Sequence, residues 1–252
     1  MKTLSTHELA IYLNELLHIS SFNENAYNGI QVANTAPIKE IATAVSASLE
    51  AIEKAAALKA QVLIVHHGLF RKNDTHLLAG TRFKKIKVLI EHNIALLTYH
   101  LPLDAHQELG NNWKAAKDLG LADLKPFGVL SDMPIGVIGT SAPHSFEEFR
   151  RQVEAYYGNT AAAVVVKDPI RSVAIISGGA DKYIHDAALA GADCFITGRY
   201  DEPVYDAAHE ENISFLGLGH YATETVGVKA LAQHLQETFE VPCTFIKTEN
   251  PF

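Results

Sequence analysis

The chain has 252 residues, 48% of them hydrophobic, and a formal net charge of −8. That length and apolar content suffice for a sizeable core in one large domain or two smaller ones. The acidic balance, without clustered Lys and Arg, argues against nucleic acid as a primary partner.

The start of the chain, Met1 to Glu8, is polar and carries no apolar segment of signal length. No later stretch approaches a membrane span, so a cytoplasmic address with no membrane partner is expected. The apolar period predicts a helix from Leu9 to Leu17, a strand from Ile41 to Val45 and a helix from Leu49 to Leu58. Val62 to Val65 reads as a central strand buried on both faces. It is followed by a helix near Phe83 to Ile90, a strand from Ile94 to Tyr99 and a helix from Asn112 to Leu119. After Pro126 come a strand from Ile135 to Gly139 and a helix to Tyr157 opened by the capping box Ser145-Phe146-Glu147-Glu148. A last helical run extends from Val226 to Leu235. This alternation is an α/β signature.

The chain also echoes itself. Pro37 set against Pro169 aligns Ile38–Ala42 with Ile170–Ala174, Ile52 with Ile184, Ala60 with Ala192 and Ile64 with Ile196. Asn93-Ile94 likewise matches Asn212-Ile213. One reading is two copies of a strand-helix-strand unit; the other is that any two such units share this pattern. If the repeat is real, His66-His67 corresponds to Gly198-Arg199.

Five of the 13 histidines, His66, His67, His100, His106 and His220, fall at or just after strand ends, where open α/β sheets build their sites. Two adjacent imidazoles closing a buried strand are costly unless bound, so His66-His67 reads as a ligand pair, with Gly68 turning the chain so that both can reach one centre. The alternative is a pair of solvated strand-end histidines. Asp104 is placed in a loop by Pro102, where a carboxylate meets a metal or caps a turn. His220 and Glu224 are four apart and share a helix face if that helix begins early. Together these residues supply three imidazoles and two carboxylates. The set suits two divalent ions, zinc, manganese, iron or cobalt, sharing a bridging carboxylate and a bridging water. The residual positive charge would attract a small anionic substrate, with Arg71 and Lys72 either assisting or serving as plain surface charge. His100 and His106 are candidates for proton transfer or ligand orientation. Ser177-Gly178-Gly179 is either a phosphate cradle or a plain strand-helix turn. Cys194 and Cys243 lie in apolar strand-like segments and suggest neither a disulfide nor a metal site.

Val65-His66-His67-Gly68, the run Tyr99 to His106 and Gly219-His220-Tyr221-Ala222-Thr223-Glu224 with Gly227 together resemble the NIF-three-like dinuclear-metal-centre family, often labelled GTP cyclohydrolase 1 type 2 homologues. The resemblance covers nearly the whole chain. It implies that His66, His67, Asp104, His220 and Glu224 bind two metal ions per chain, with Glu224 the bridge. It also implies a two-lobed α/β subunit, each lobe a sheet flanked by helices, and a toroidal homohexamer. On this reading residues 1–127 with 217–252 form the metal-binding lobe and 128–216 the second lobe. One departure stands out: relatives carry a Gly-Glu step where this chain has Gly198-Arg199, which makes Arg199 a candidate substrate contact unless Glu202 compensates. Two functions follow as expectations, a metal-dependent hydrolase of a nucleotide-like or phosphorylated substrate, and a non-catalytic metal-binding adaptor or metal-delivery protein.

Overall fold

A computed structural model describes residues 4–75 and 77–252; the first three residues of the polar N-terminal stretch lie outside them. The chain divides into two compact units, Met1–Leu103 with Val228–Glu249 and Asp104–Gly227 with Asn250–Phe252. Each is built on its own sheet, and helices flank both sheets. Among the described residues no helix is long and apolar enough to cross a membrane.

In the first unit the chain runs through α1 (Thr6–Leu16), β1 (Gly29–Val32), β2 (Ile41–Ser46), α2 (Leu49–Ala57), β3 (Val62–His67), α3 (Gly80–Glu91) and β4 (Ala95–Thr98). Its sheet has the order β1-β4-β3-β2-β11, where β11 is Cys243–Phe245 near the end of the chain. β4, β3, β2 and β11 are parallel, and β1 closes the edge antiparallel to β4. α1 starts where Ser5 and Glu8 cap each other's backbone N–H groups, and Ser48 caps α2 by accepting from the Ala51 N–H. The apolar faces of α2 and α3 bury Ile52, Ala55 and Leu89 in a core with Leu63, Val65 and Leu96. This is why β3 and β4 read as unbroken apolar runs rather than alternating ones.

The second unit contains α5 (Asn111–Asp118), β5 (Ala122–Leu130), β6 (Met133–His144), α6 (Phe146–Tyr157), β7 (Ala162–Val164), β8 (Ile170–Ile176), α7 (Ile184–Leu189), β9 (Cys194–Thr197), α8 (Pro203–Glu210), β10 (Ser214–Gly217) and α9 (His220–Thr223). The short α4 (Leu101–Ala105) and the long α10 (Thr225–Phe239) each contain a point where the units divide. The sheet order is β5-β6-β8-β9-β10-β7, with β8, β9 and β10 parallel and the remaining pairings antiparallel. The Ser145–Glu148 capping box opens α6, and Gly158 closes it in the left-handed conformation at φ 67°. Phe149 and Val153 on that helix pack with Trp113, Val173 and Ile196.

Two expectations change. The division does not fall at 127/128 and 216/217. Pro126 lies within edge strand β5, paired with Val137, and edge strands are where sheets tolerate proline. β10 pairs with β9, so the segment after it, with His220 and Glu224, belongs to the second unit. Pro102 likewise does not end regular structure. It sits in the first turn of α4, where proline is tolerated, and Asp104 is therefore helical rather than in a loop.

Candidate metal centre

In the first unit the donors gather at the carboxyl ends of β3 and β4. β3 continues through His67, two residues beyond its apolar run, with His67 paired to Ser46. The departure from strand geometry falls at Gly68, where a Cβ would lie 2.3 Å from Thr98 Oγ1. His66 is fully buried and His67 half-buried. Their ring centroids are 4.7 Å apart, and the His100 ring lies 4.9 Å from His66 and 5.5 Å from His67. One nitrogen from each of the three rings falls within 4.8 Å of the others, close enough to hold one ion.

Each ring is held through Nδ1. His66 Nδ1 donates to the Tyr99 carbonyl at 3.1 Å, His67 Nδ1 meets Ser46 Oγ at 3.0 Å, and His100 Nδ1 donates to Glu24 Oε2 at 2.5 Å. Glu24 also accepts from Asn28 Nδ2 at 2.7 Å. Burial works to raise the Glu24 pKa, but its bond to His100, the His100 charge, the Asn28 donor and His66 outweigh that effect and hold it below the usual glutamate value.

The second unit brings two carboxylates and an imidazole to the carboxyl side of its sheet. Asp104 is 7% exposed, and its Oδ1 accepts from Asn111 Nδ2 at 2.8 Å and Ser177 Oγ at 3.0 Å. Asn111 is itself fixed by the Gly227 N–H, and Asn112 ties the Ser177 N–H to the Ile135 carbonyl. Glu224 is 3% exposed, with Oε1 3.0 Å from His220 Nε2. The helix does begin at His220 but ends at Thr223, so Glu224 stands at its C-cap rather than on a helix face, and the two side chains still meet. Buried carboxylates held by neutral donors and imidazoles, with no cysteine in any ligand-capable group among the described residues, form a nitrogen and oxygen donor set that fits a divalent transition metal.

Other sequence candidates have different surroundings. His106 is half-buried, and its Nδ1 accepts from the Glu108 and Leu109 N–H groups, which commits it to a turn. Arg71 and Lys72 are exposed in the loop after β3, where Lys72 N donates to the Asn25 carbonyl. Arg199 lines a cavity of about 510 Å³ with His220, Asn159, Thr160 and Tyr200. No Asp or Glu side chain lines that space among the described residues; Glu202 and Asp201 instead line a neighbouring cavity of about 390 Å³. The Ser177 and Gly178 N–H groups are spent on Asn112 and Thr223, so the glycine turn is not a phosphate cradle.

Glu24 and Asn111 escaped the sequence reading, and Ser177 was read only as part of a glycine turn and not as a partner of Asp104. Glu24 sits in the polar run Asn23-Glu24-Asn25, with neither periodicity nor a motif to mark it. The adjacent Asn111-Asn112 pair, buried at the start of a helix, was the one available hint.

Comparison with known proteins gives a consistent result. The model of the Duf34/NIF3 (NGG1p interacting factor 3) family matches residues 4–251. A GTP cyclohydrolase 1 type 2 homolog of Chlamydia pneumoniae is 47% identical over 99% of this chain and 100% of its own. A protein of the same description from Escherichia coli (strain K12) is 34% identical, covering 97% and 98%. Among solved structures, protein ybgI, described as of unknown function, superposes with a TM-score of 0.91 at 34% identity over 99% of this chain and 100% of its own. TTHA1606 from Thermus thermophilus has a TM-score of 0.91 at 30% identity, covering 99% and 100%.

Proposed function

Because the chain belongs to the Duf34/NIF3 family, we propose that it is a cytoplasmic metal-dependent hydrolase of a nucleotide-like or phosphorylated substrate. In this reading His66, His67, Asp104, His220 and Glu224 would hold two divalent ions. The observation that carries it is the pair of buried carboxylates, Asp104 and Glu224, each fixed by polar partners at the carboxyl ends of strands. The description of relatives as GTP cyclohydrolase 1 type 2 homologs supports the substrate class. Bound divalent ions would supply Lewis-acid polarisation of the substrate and activation of water at neutral pH.

The protein's own residues do the rest. Asn111 and Ser177 hold Asp104 in one orientation through its Oδ1. Arg199 brings a guanidinium to the cavity beside His220, a group suited to a phosphate or carboxylate, and Phe252, whose carbonyl oxygen accepts from the Tyr221 N–H, lines the same space.

The test is the full-length protein supplied with zinc, manganese, iron or cobalt, assayed for metal content and then against nucleotides and phosphoesters. Two ions per chain and turnover of phosphorylated substrates in preference to their unphosphorylated counterparts are expected. Glu224→Ala should lose both the second ion and turnover, and an unchanged rate in that variant would sink the proposal. Metal binding without turnover on any substrate would instead favour a metal-delivery role.

A further inference from the structure

The three histidines of the first unit have different partners, yet in each the partner takes the same ring nitrogen. A backbone carbonyl and a carboxylate can only accept, so His66 and His100 carry their proton on Nδ1. A bond to a metal would then form through Nε2. From this geometry we propose that His100 is a metal ligand through Nε2, completing a three-imidazole set with His66 and His67, and that Glu24 is the residue that positions it. The inference rests on the reading that the chain binds metal, and it adds a ligand to the five already assigned.

Several observations converge on Glu24. Its side chain is only 5% exposed, and burying a carboxylate is costly without compensating bonds. It accepts from His100 Nδ1, from Asn28 Nδ2 at 2.7 Å and from the Leu101 N–H at 3.2 Å. Asn28 also accepts from the His100 N–H at 2.9 Å, so one loop fixes both the backbone and the ring of His100. A histidine that merely lined a solvated loop would need none of this. The His100 side chain is 28% exposed, which leaves it reachable by an ion. A carboxylate behind a metal-bound imidazole fixes the ring and raises its basicity, and loss of such a partner typically weakens metal binding about 10–100-fold.

The experiment titrates the metal-free full-length protein with Zn²⁺ or Co²⁺ and counts coordinated imidazoles by X-ray absorption at the metal edge. Glu24→Gln should weaken binding about tenfold or more, and His100→Ala should remove one imidazole from the coordination shell. Thermal unfolding of the metal-free forms checks that both variants fold; should His100→Ala fail to, the affinity of Glu24→Gln decides alone. If the wild-type protein binds metal while the variants keep its affinity and imidazole count, His100 is no ligand and the metal-centre reading survives. A wild-type protein that binds neither ion overturns both.

Discussion

At Gly178 a single hydrogen in place of a methyl group decides whether two site residues can stand where they do. A Cβ there would lie 2.3 Å from Glu224 Oε1 and 3.2 Å from His220 Nε2, on a backbone already at φ +68°. Gly178→Ala should therefore cost about 1–3 kcal/mol of stability and weaken metal binding as well. Urea denaturation alongside metal titration reads both effects, and a variant that shifts neither would show that the carboxylate has room to move. The two thiols make a different residue-scale prediction. Burial, aided by Glu40, pushes Cys243 up to about 12, and burial also raises Cys194. At pH 8 an alkylating reagent should modify Cys243 much more slowly in the folded protein than in the unfolded chain, since only the thiolate reacts. The sign carries over to stability. Above the ordinary thiol value the unfolded chain releases protons that the folded one retains, so stability falls as pH rises through that range. Legibility at this scale followed chemistry that announces itself locally. Histidines closing apolar runs were readable; Glu24 was not, because it acquires its role only when the fold delivers His100 to it.

Among the elements, the echo in the sequence has a physical counterpart in hydrogen bonds. Gln61 Oε1 accepts from the Lys39 and Glu40 N–H groups, and Asp193 Oδ2 accepts from those of Arg171 and Ser172. These residues correspond under the same alignment that sets Pro37 against Pro169. Gln61 N donates to the Glu40 carbonyl and Asp193 N to that of Ser172; Asn93 and Asn212 both adopt left-handed backbone, at φ 53° and 51°. Each copy thus places β2-β3-β4 or β8-β9-β10 in parallel, with a short antiparallel strand, β1 or β7, beside the third. Asp193→Ala should cost about 1–2 kcal/mol by leaving two amides without their acceptor, and Asp193→Asn, which keeps an acceptor oxygen, should cost less. Chemical denaturation measures the difference; equal losses would assign the effect to the Lys167 ion pair instead. The parallel strands were visible because burial on both faces makes them uniformly apolar. Three-residue β7 and β11 and the long edge strand β5 were not, since exposure, shortness and an internal proline erase the period.

For the whole molecule, His66, His67 and His100 belong to the first unit and Asp104, His220 and Glu224 to the second. A sequence-based boundary that assigned them all to one lobe failed because it followed the donors rather than the strand pairing. The homohexamer that the family resemblance implies would have a solution mass six times the 27.5 kDa of the chain, measurable by light scattering; a mass of one or two chains would reject it. The acidic net charge of −8 leads us to expect no retention on a phosphate-bearing polymer at moderate salt.

Gly198 occupies, in the second copy, the place that His66 has in the first. A Cβ on it would lie 2.6 Å from Thr223 Oγ1, 2.7 Å from the His220 Cα and 2.8 Å from the Gly178 carbonyl oxygen. The strand end is closed to any side chain by the segment that carries His220. The two corresponding positions are therefore not interchangeable: a histidine at 198 would displace the segment that carries His220.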